Sequence, residues 1–417
     1  MFNIRRQNHL NQIDFPALSI FFSGRAPQKS GDQKYPFSVN RNFFYLTGID
    51  QEDVVLVLAK GLNREDAYLF IETVDPVKAL WDGAGLSFEE AAKVSDIPLE
   101  NIKDILTLDT FISQLLSTSR RALYGQLNTV YLDLERQSAL SQDTPGILYA
   151  KRLKELFPYL NLKTSQMLLA ELRTVKDEHE ILQTKKAIEI TKFGLERIMK
   201  TLKSGAYEYQ IQAEFNYVLN QHRTSTSFDT IAASGKNATI LHYVQNDSKI
   251  LDGQLVLFDL GVDLDHYCSD ITRTFPANGK FSERQKAIYE VVLEANKKTI
   301  EWLKPGVSLK EFNDYGKQIL IDGAKKLGLI KEDAEITKYY YHSLGHYLGL
   351  DVHDGGNYSL PIPEGALITV EPGLYIEEEN IGIRIEDDVI VTSKGAINLS
   401  KDIIKEVKDI EAFMAKK

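Results

Sequence analysis

Five residues in the C-terminal part of this chain have the side chains of a site for two metal ions: Asp259, Asp270, His346, Glu371 and Glu386. Four carboxylates and one imidazole can neutralise and bridge two divalent cations. An oxygen-rich set suits Mn, Co, Fe or Zn better than the thiolate-rich sites of structural zinc. Two such ions, about 3.5–4 Å apart, can hold a hydroxide at neutral pH and polarise a carbonyl. Hydrolysis is therefore the predicted reaction type.

The first two carboxylates lie in the segment QLVLFDLGVDLDHYCSDITRTFP, which predicts two strands joined by an acidic turn. Because side chains alternate along a strand, Asp259 and Asp270 can both face inward. Asp259 interrupts an apolar run, and an unpaired buried carboxylate is costly, so a metal or a cationic partner is expected. A buried salt bridge or a turn cap is the alternative. Asp263 and Asp265 are expected to be solvated in the turn.

Three of the eight histidines, His342, His346 and His353, lie in the segment HSLGHYLGLDVHD. Their spacing among glycines favours an irregular segment that passes a pocket. Neutral imidazole serves as a metal ligand, a general acid or an oxyanion donor. Any one of these histidines, taken alone, could instead be a core residue whose hydrogen bonds are satisfied.

Two strand patterns follow, in ALITVEPGLYI and GIRIEDDVIV. Glu371 ends the first pattern before Pro372. In the second pattern Arg384 and Glu386 share a face, so the guanidinium can brace the carboxylate. A cross-strand ion pair at the surface is the alternative for these two residues.

The length of 417 residues suggests two domains, and the pattern of strands and helices along the sequence agrees with this division. Apolar runs at 54–59 and 67–71 predict buried strands and an α/β N-terminal domain. The pattern changes between residues 160 and 176, and the predicted domains are 1–165 and 166–417.

The second domain begins with an apolar stripe from Ile181 to Leu202, which predicts a long helix ended by Ser204-Gly205. A second helix is predicted from Ile288 to Leu303, ended by Pro305-Gly306. Both regions run Lys-Ala-Ile, helix, Leu-Lys-x-Gly and a second helix start, which suggests a duplicated α/β unit. Two generic amphipathic helices with glycine stops are the alternative.

Composition narrows the functional classes. A net charge of −10 argues against nucleic acid as the main partner. The sequence contains no uninterrupted apolar stretch of about 18 residues, so a membrane span is not expected. The polar N-terminus is unlike a secretory signal. The lone Cys268 excludes an intramolecular disulfide and suits a reducing compartment, so a cytoplasmic location is expected.

Five segments resemble, in order, the motifs of pita-bread-fold metallopeptidases: TILHY, FDLGVDLDHYCSDITRTFP, HSLGHYLGLDVHD, VEPGLY and GIRIEDD. The N-terminal segment KYPFSVNRNFFYLTGID resembles the corresponding region of Xaa-Pro aminopeptidases (aminopeptidase P). The resemblance covers nearly the whole chain. It implies an α/β (α+β) fold, with a creatinase-like N-terminal α/β domain followed by a pseudo-twofold pita-bread catalytic domain.

The same resemblance implies a role for each site residue. Asp259 would bind one metal ion, and Asp270 and Glu386 would bridge both. His346 and Glu371 would complete the coordination of the other ion, with Glu371 also acting as general base on the bridging water. The further catalytic residues would be His242, His353 and Arg384, and the substrate-binding residues would be His342, Tyr375 and Trp81.

The implied activity is removal of an N-terminal residue that precedes proline, with two manganese ions as the usual cofactor and Co or Zn as possible replacements. A tertiary amide has no N–H and a restricted geometry, so its cleavage needs a specialised pocket. The resemblance suggests a homodimer or homotetramer. Trp81 would reach a neighbouring subunit, although Gly83-Ala84-Gly85 departs from the Gly and Arg residues common after it. Ser343 and Gly345 also depart from the common pattern without removing a ligand.

Two other functions fit the same residues. A prolidase shares the metal set but cuts only Xaa-Pro dipeptides. A metal-free binding protein can also use this fold, because fold does not determine function. Such relatives usually lose several ligands, whereas all five are present here.

Overall fold

The computed structural model describes residues 1–119, 122–136 and 138–416, without the side chains of residues 78 and 82. It divides into two compact units, Met1–Leu172 and Arg173–Lys417. The division falls within the helix Gln166–Thr174, which begins directly after the predicted boundary at residue 165.

The N-terminal unit alternates short strands with helices. Its elements are α1 Phe2–Gln12, β1 Ala17–Phe22, β2 Gln28–Ser30, β3 Gln33–Lys34, α2 Arg41–Thr47, β4 Val55–Lys60, β5 Glu65–Ile71, α3 Pro76–Asp82, α4 Phe88–Ser95, β6 Ile102–Asp104, α5 Leu108–Leu116, β7 Thr129–Leu132, α6 Pro145–Leu156, β8 Asn161–Thr164 and the start of α7 Gln166–Thr174.

Six of these strands form one mixed sheet in the order β6-β5-β4-β1-β7-β8. Strand β1 pairs antiparallel with β4 and parallel with β7. Its residues from Ala17 to Phe21 are all buried, so both faces of the sheet are covered. The two apolar runs of the sequence form β4 and β5, which confirms the prediction of an α/β unit.

The C-terminal unit has long helices and small antiparallel sheets. Its elements are α8 Glu178–Thr201, α9 Glu208–His222, β9 Ser225–Thr226, β10 Ile231–Ser234, β11 Leu255–Leu260, β12 Val262–Leu264, β13 Tyr267–Cys268, β14 Ile271–Pro276, α10 Glu283–Trp302, α11 Leu309–Lys326, β15 Leu367–Val370, β16 Gly373–Ile376, β17 Ile381–Arg384, β18 Asp387–Thr392, β19 Gly395–Asn398 and α12 Val407–Met414.

Two helix pairs, α8 with α9 and α10 with α11, repeat the same local design. A capping box starts both α8 and α10, so their first backbone N–H groups are satisfied in the same way. The turns that follow contain Gly205 at φ +88° and Gly306 at φ +87°, a left-handed conformation that favours glycine. This shared geometry agrees with the predicted duplication and with both predicted helices.

Small sheets in the orders β10-β11-β14 and β15-β18-β19 pack against these helices. Their inner residues join one apolar core that includes Phe215, Phe258, Val292 and Phe312. Within the described residues, no helix is both long enough and apolar enough to span a membrane.

A buried ion cluster anchors the segment that follows His353. The carboxylate of Asp354 pairs with Arg173 and, at 2.9 Å, with Lys176, and its side chain is 1% exposed. Burial raises the pKa of Asp354, but the charges of Arg173 and Lys176 more than offset it and lower the pKa below its ordinary value. Asp354 therefore ties the histidine-rich segment to the start of the C-terminal unit.

We expect Asp354→Asn to lower the free energy of unfolding by about 3–5 kcal/mol, because it removes the buried carboxylate that faces Lys176 and leaves Arg173 paired with the half-exposed Asp351. Because the pKa of Asp354 is lower in the folded than in the unfolded protein, the ionised carboxylate stabilises the fold at pH values above its unfolded pKa. This stabilisation is lost as the pH falls. The difference in free energy of unfolding between the variant and wild type should thus be full near about pH 6 and shrink below about pH 4. Urea-induced unfolding at several pH values measures this difference. The control is Asp351→Asn, at a half-exposed partner of Arg173, which should lower the free energy of unfolding by less than about 1 kcal/mol. Equal losses of stability in the two variants would contradict the role of Asp354.

Candidate metal centre

The predicted hairpin carries the first two carboxylates. Strand β11 pairs with β14 so that Asp259 lies opposite Thr272, and Asp270 directly precedes β14. The hairpin continues as β12 and β13, which turn at Asp265 and His266, both with positive φ. Asp265 is exposed in this turn as predicted. Asp263 instead lies in β12, where its carboxylate accepts from the His266 N–H at 2.9 Å.

The two glutamates lie at strand ends that hydrogen-bond to neighbouring segments. Glu371 follows β15 and donates its N–H to Leu344 O at 2.9 Å. Glu386 lies between β17 and β18 and donates its N–H to Thr272 O at 3.1 Å. Its side chain is buried, and Glu386 Oε2 accepts from the Thr272 hydroxyl at 2.6 Å. Backbone pairing therefore fixes Glu386 relative to the hairpin and Glu371 relative to the histidine-rich segment.

His346 is held in an irregular segment, as the sequence predicts. Its N–H donates to Thr369 Oγ1 at 3.0 Å, and the Thr369 N–H donates to His346 O at 2.9 Å. A Cβ on the preceding Gly345 would lie 2.0 Å from Thr369 O, so this close approach requires glycine. The His346 Nδ1 lies 3.0 Å from Tyr347 O, to which it donates. Its Nε2 is left facing Asp270 Oδ2 at 3.4 Å and Glu371 Oε1 at 3.6 Å.

The donor set fits a metal centre. Potential ligand atoms of Asp270, His346 and Glu386 lie within 4.8 Å of one another. Asp259 Oδ1 is buried and has no hydrogen-bond partner among the described residues, while its other oxygen is held by Arg384. A ring nitrogen fixed by a backbone carbonyl and a carboxylate with one free oxygen are the usual surroundings of metal ligands.

Burial and mutual repulsion shift the acid groups of this centre. Burial, followed by neighbouring carboxylates, raises the pKa of Glu386 well above its ordinary value. Burial also raises the pKa of Asp270 and that of Glu371. Burial lowers the pKa of His346, but Asp270 and Glu371 more than offset it and raise the pKa to about 9. A bound cation would stabilise the ionised form of carboxylates that are buried together in this way.

Arg384 is the positive group beside the carboxylates. Its guanidinium is buried and donates to Asp259 Oδ2, to Thr272 Oγ1 at 3.0 Å and to the Tyr375 hydroxyl at 2.9 Å. The predicted bracing of Glu386 by Arg384 is indirect, because the guanidinium turns to Asp259 and reaches Glu386 through Thr272. The alternative of a surface ion pair is wrong, since both residues are buried.

His342 and Tyr375 continue this hydrogen-bond chain. The His342 Nδ1 lies 2.7 Å from Ser343 O, and the Nε2 lies 2.9 Å from the Tyr375 hydroxyl. Burial, followed by the charge of Arg384, lowers the pKa of His342 to about 4, so its ring is neutral. Nδ1–H then donates to the carbonyl and Nε2 accepts from Tyr375. Two of the three predicted substrate-binding residues thus lie beside the predicted ligands.

The other predicted site residues have different surroundings. The ring of His353 lies 4.2 Å from that of His346, centroid to centroid. Burial, followed by the charges of His346 and His242, lowers the pKa of His353. His242 is exposed in the loop between β10 and β11. Trp81 lies in α3 of the N-terminal unit with 84% of its side chain exposed.

Two polar residues of this centre were missed by the sequence reasoning. Thr272 links Arg384 to Glu386, and Thr369 fixes the backbone of His346. Each shares a strand face with a predicted ligand, two residues from Asp270 and Glu371 respectively. That period-two spacing is the signal that could have found them.

Two family models match this chain, one in each unit. The model of metallopeptidase family M24 matches residues 183–393, and that of the aminopeptidase P N-terminal domain matches residues 2–124. The Xaa-Pro aminopeptidase of Haemophilus influenzae is 34% identical over 99% of this chain and 96% of its own length.

Solved structures are similar over the full length. A protein assigned as an aminopeptidase P in Bacillus anthracis has a TM-score of 0.96 at 44% identity, covering 100% of this chain and 98% of that one. Zinc-substituted Escherichia coli aminopeptidase P in complex with product has a TM-score of 0.89 at 31% identity, covering 100% and 98%.

The chain therefore belongs to metallopeptidase family M24, with the two-domain fold of aminopeptidase P. The family membership, the N-terminal domain and the pita-bread catalytic domain that the motifs imply are confirmed. The protein is a hydrolase.

Arg384→Lys should weaken metal binding by about 10- to 100-fold, because an ammonium lacks the planar fork whose separate nitrogens reach Asp259, Thr272 and Tyr375, and Asp259 loses its orientation. Calorimetric titration of the metal-free protein with Mn measures the change. The control is Arg284→Lys, at a partly exposed arginine that donates twice to Glu379. Unchanged affinity in Arg384→Lys would show that Arg384 does not orient a ligand.

Proposed function

We propose that this protein is a dinuclear-metal aminopeptidase that removes the N-terminal residue from peptides with proline in the second position. The observation that carries the proposal is the convergence of Asp270, His346 and Glu386 beside the half-free carboxylate of Asp259. Full-length similarity to Xaa-Pro aminopeptidases supports the substrate class.

We propose Asp259, Asp270, His346, Glu371 and Glu386 as the ligands of two divalent ions, with Mn the first choice and Co or Zn possible. When bound, the ions supply Lewis acidity at neutral pH. The donor set is four carboxylates and one imidazole, which suits hard or borderline cations.

Glu371 is the proposed general base. Burial raises the pKa of its carboxyl, and a raised pKa makes it a better acceptor for the proton of the attacking water. Its backbone is fixed by Leu344, so the carboxylate is held in place before substrate binds.

The remaining residues hold the substrate. His242 and His353 would donate to the substrate carbonyl and stabilise the tetrahedral intermediate. The neutral His342, fixed by Tyr375, would line the pocket for proline, and Arg384 would support both Tyr375 and Asp259. Trp81 remains a proposed substrate contact, in a homodimer or homotetramer. A cytoplasmic location is proposed from the single buried Cys268, which suits a reducing compartment.

A prolidase is the second candidate, since its metal ligands would be the same. A peptide panel with Mn, Co and Zn separates the two. We expect hydrolysis of Xaa-Pro-Xaa tripeptides, and no hydrolysis of matched tripeptides with alanine in the second position. A protein that cleaves Xaa-Pro dipeptides alone would be a prolidase.

Asp270→Ala should abolish metal-dependent hydrolysis and lower the bound metal from about two ions per chain. Because Asp270 is buried among other carboxylates, its removal relieves repulsion, and the metal-free variant should melt no lower than the metal-free wild type. Peptidase assays measure hydrolysis, elemental analysis measures the bound metal, and thermal unfolding measures the stability of the metal-free proteins. The control is Asp265→Asn, at the exposed turn of the same hairpin, which should change none of them because asparagine tolerates the positive φ of that position. Retained activity in Asp270→Ala would mean that the site is misassigned.

A further inference from the structure

Glu208, the first residue of α9, is a fully buried carboxylate outside the metal centre. It accepts five hydrogen bonds. Its Oε1 accepts from the Ser234 N–H at 2.7 Å, the Ser234 hydroxyl at 2.7 Å and Asn237 Nδ2 at 3.1 Å. Its Oε2 accepts from the Tyr243 hydroxyl at 2.8 Å and the Ser248 N–H at 2.9 Å.

All five donors belong to one segment, residues 234–248, which we call the His242 loop. Ser234 ends β10, and Ser248 lies a few residues before β11. The loop is also tied to Glu208 by its backbone, because the Glu208 N–H donates to Ser248 O at 3.0 Å. One carboxylate therefore holds both ends and the middle of the loop.

His242 depends on this loop for its position. Its residue is exposed and makes no hydrogen bond with any described residue, so no hydrogen bond of its own holds the ring. The next residue, Tyr243, is buried and donates its hydroxyl to Glu208. A contact that fixes Tyr243 fixes the backbone from which the His242 side chain extends.

We propose that Glu208 is a positioning residue that acts on the reaction through His242, an inference that rests on the proposed role of His242 at the substrate carbonyl. Ordering a loop in advance removes an entropic cost that would otherwise fall on the transition state. Glu208 touches neither ligand nor substrate residue, so it acts at a distance from the chemistry.

Glu208→Gln tests the proposal with almost no change of shape. Because Oε1 faces the Ser234 N–H and Oε2 faces the Ser248 N–H, a glutamine places its NH₂ group against a backbone N–H donor whichever way the amide turns. Glu214→Gln is the matched control, since Glu214 lies in the same helix and pairs with Arg197 at the surface.

Two measurements are made on the Mn-loaded full-length chain. In Glu208→Gln, hydrogen exchange in residues 234–248 should speed up by on the order of tenfold while the rest of the chain is unchanged. Its kcat on an Xaa-Pro-Xaa peptide should fall by about ten- to a hundredfold, with KM and bound metal near wild-type values.

The double variant Glu208→Gln/His242→Ala separates positioning from general destabilisation. If Glu208 acts through His242, its substitution should lower kcat by less than about twofold once His242 is absent. The proposal would be overturned if the losses of kcat in the two single variants multiplied in the double variant. It would also be overturned by an unchanged kcat in Glu208→Gln, or by a wild-type rate of hydrogen exchange in the His242 loop of that variant. Wild-type protein inactive on all Xaa-Pro substrates would overturn the proposed function instead, and hydrogen exchange alone would then decide whether Glu208 holds the loop.

Discussion

Repulsion among four carboxylates in one buried pocket is the constraint that the C-terminal unit must accommodate. Burial raises the pKa of Asp270, Glu371 and Glu386, because an isolated charge is poorly stabilised away from water. Within the pocket, Arg384 and His346 are the cationic groups that oppose them. Two divalent cations would compensate the remaining charge, so metal binding and stability of the site depend on the same interaction.

The fold meets this constraint with backbone pairing rather than with flexible side-chain contacts. Glu386 and Glu371 are each fixed through their own N–H groups, and His346 through a reciprocal pair with Thr369. Strand ends held in this way lose little freedom when a ligand binds, which favours a preorganised site. The two capped helix pairs supply the apolar core behind these strands. Polar chemistry and apolar packing are thus separated along each strand by the alternation of its side chains.

Much of this arrangement could be predicted because local patterns carry it. Helices α8 and α10 follow from apolar spacing and glycine stops, and the hairpin of Asp259 and Asp270 follows from alternation around an acidic turn. The partner of Arg384 could not be predicted this way. A shared strand face suggested Glu386, but Asp259 lies on another strand and approaches Arg384 only after β11, β14 and β17 have packed together.

By itself, the sequence determined the types of the proposed metal ligands, their order along strand-like segments and the two-domain organisation, because these depend on side-chain chemistry and on periods of two and 3.6 residues. The tertiary structure decided which oxygen of Asp259 stays free, that His346 presents Nε2, and that Glu208 holds the His242 loop. Those outcomes depend on contacts between residues far apart in the chain. Such contacts follow from packing, which no local pattern encodes.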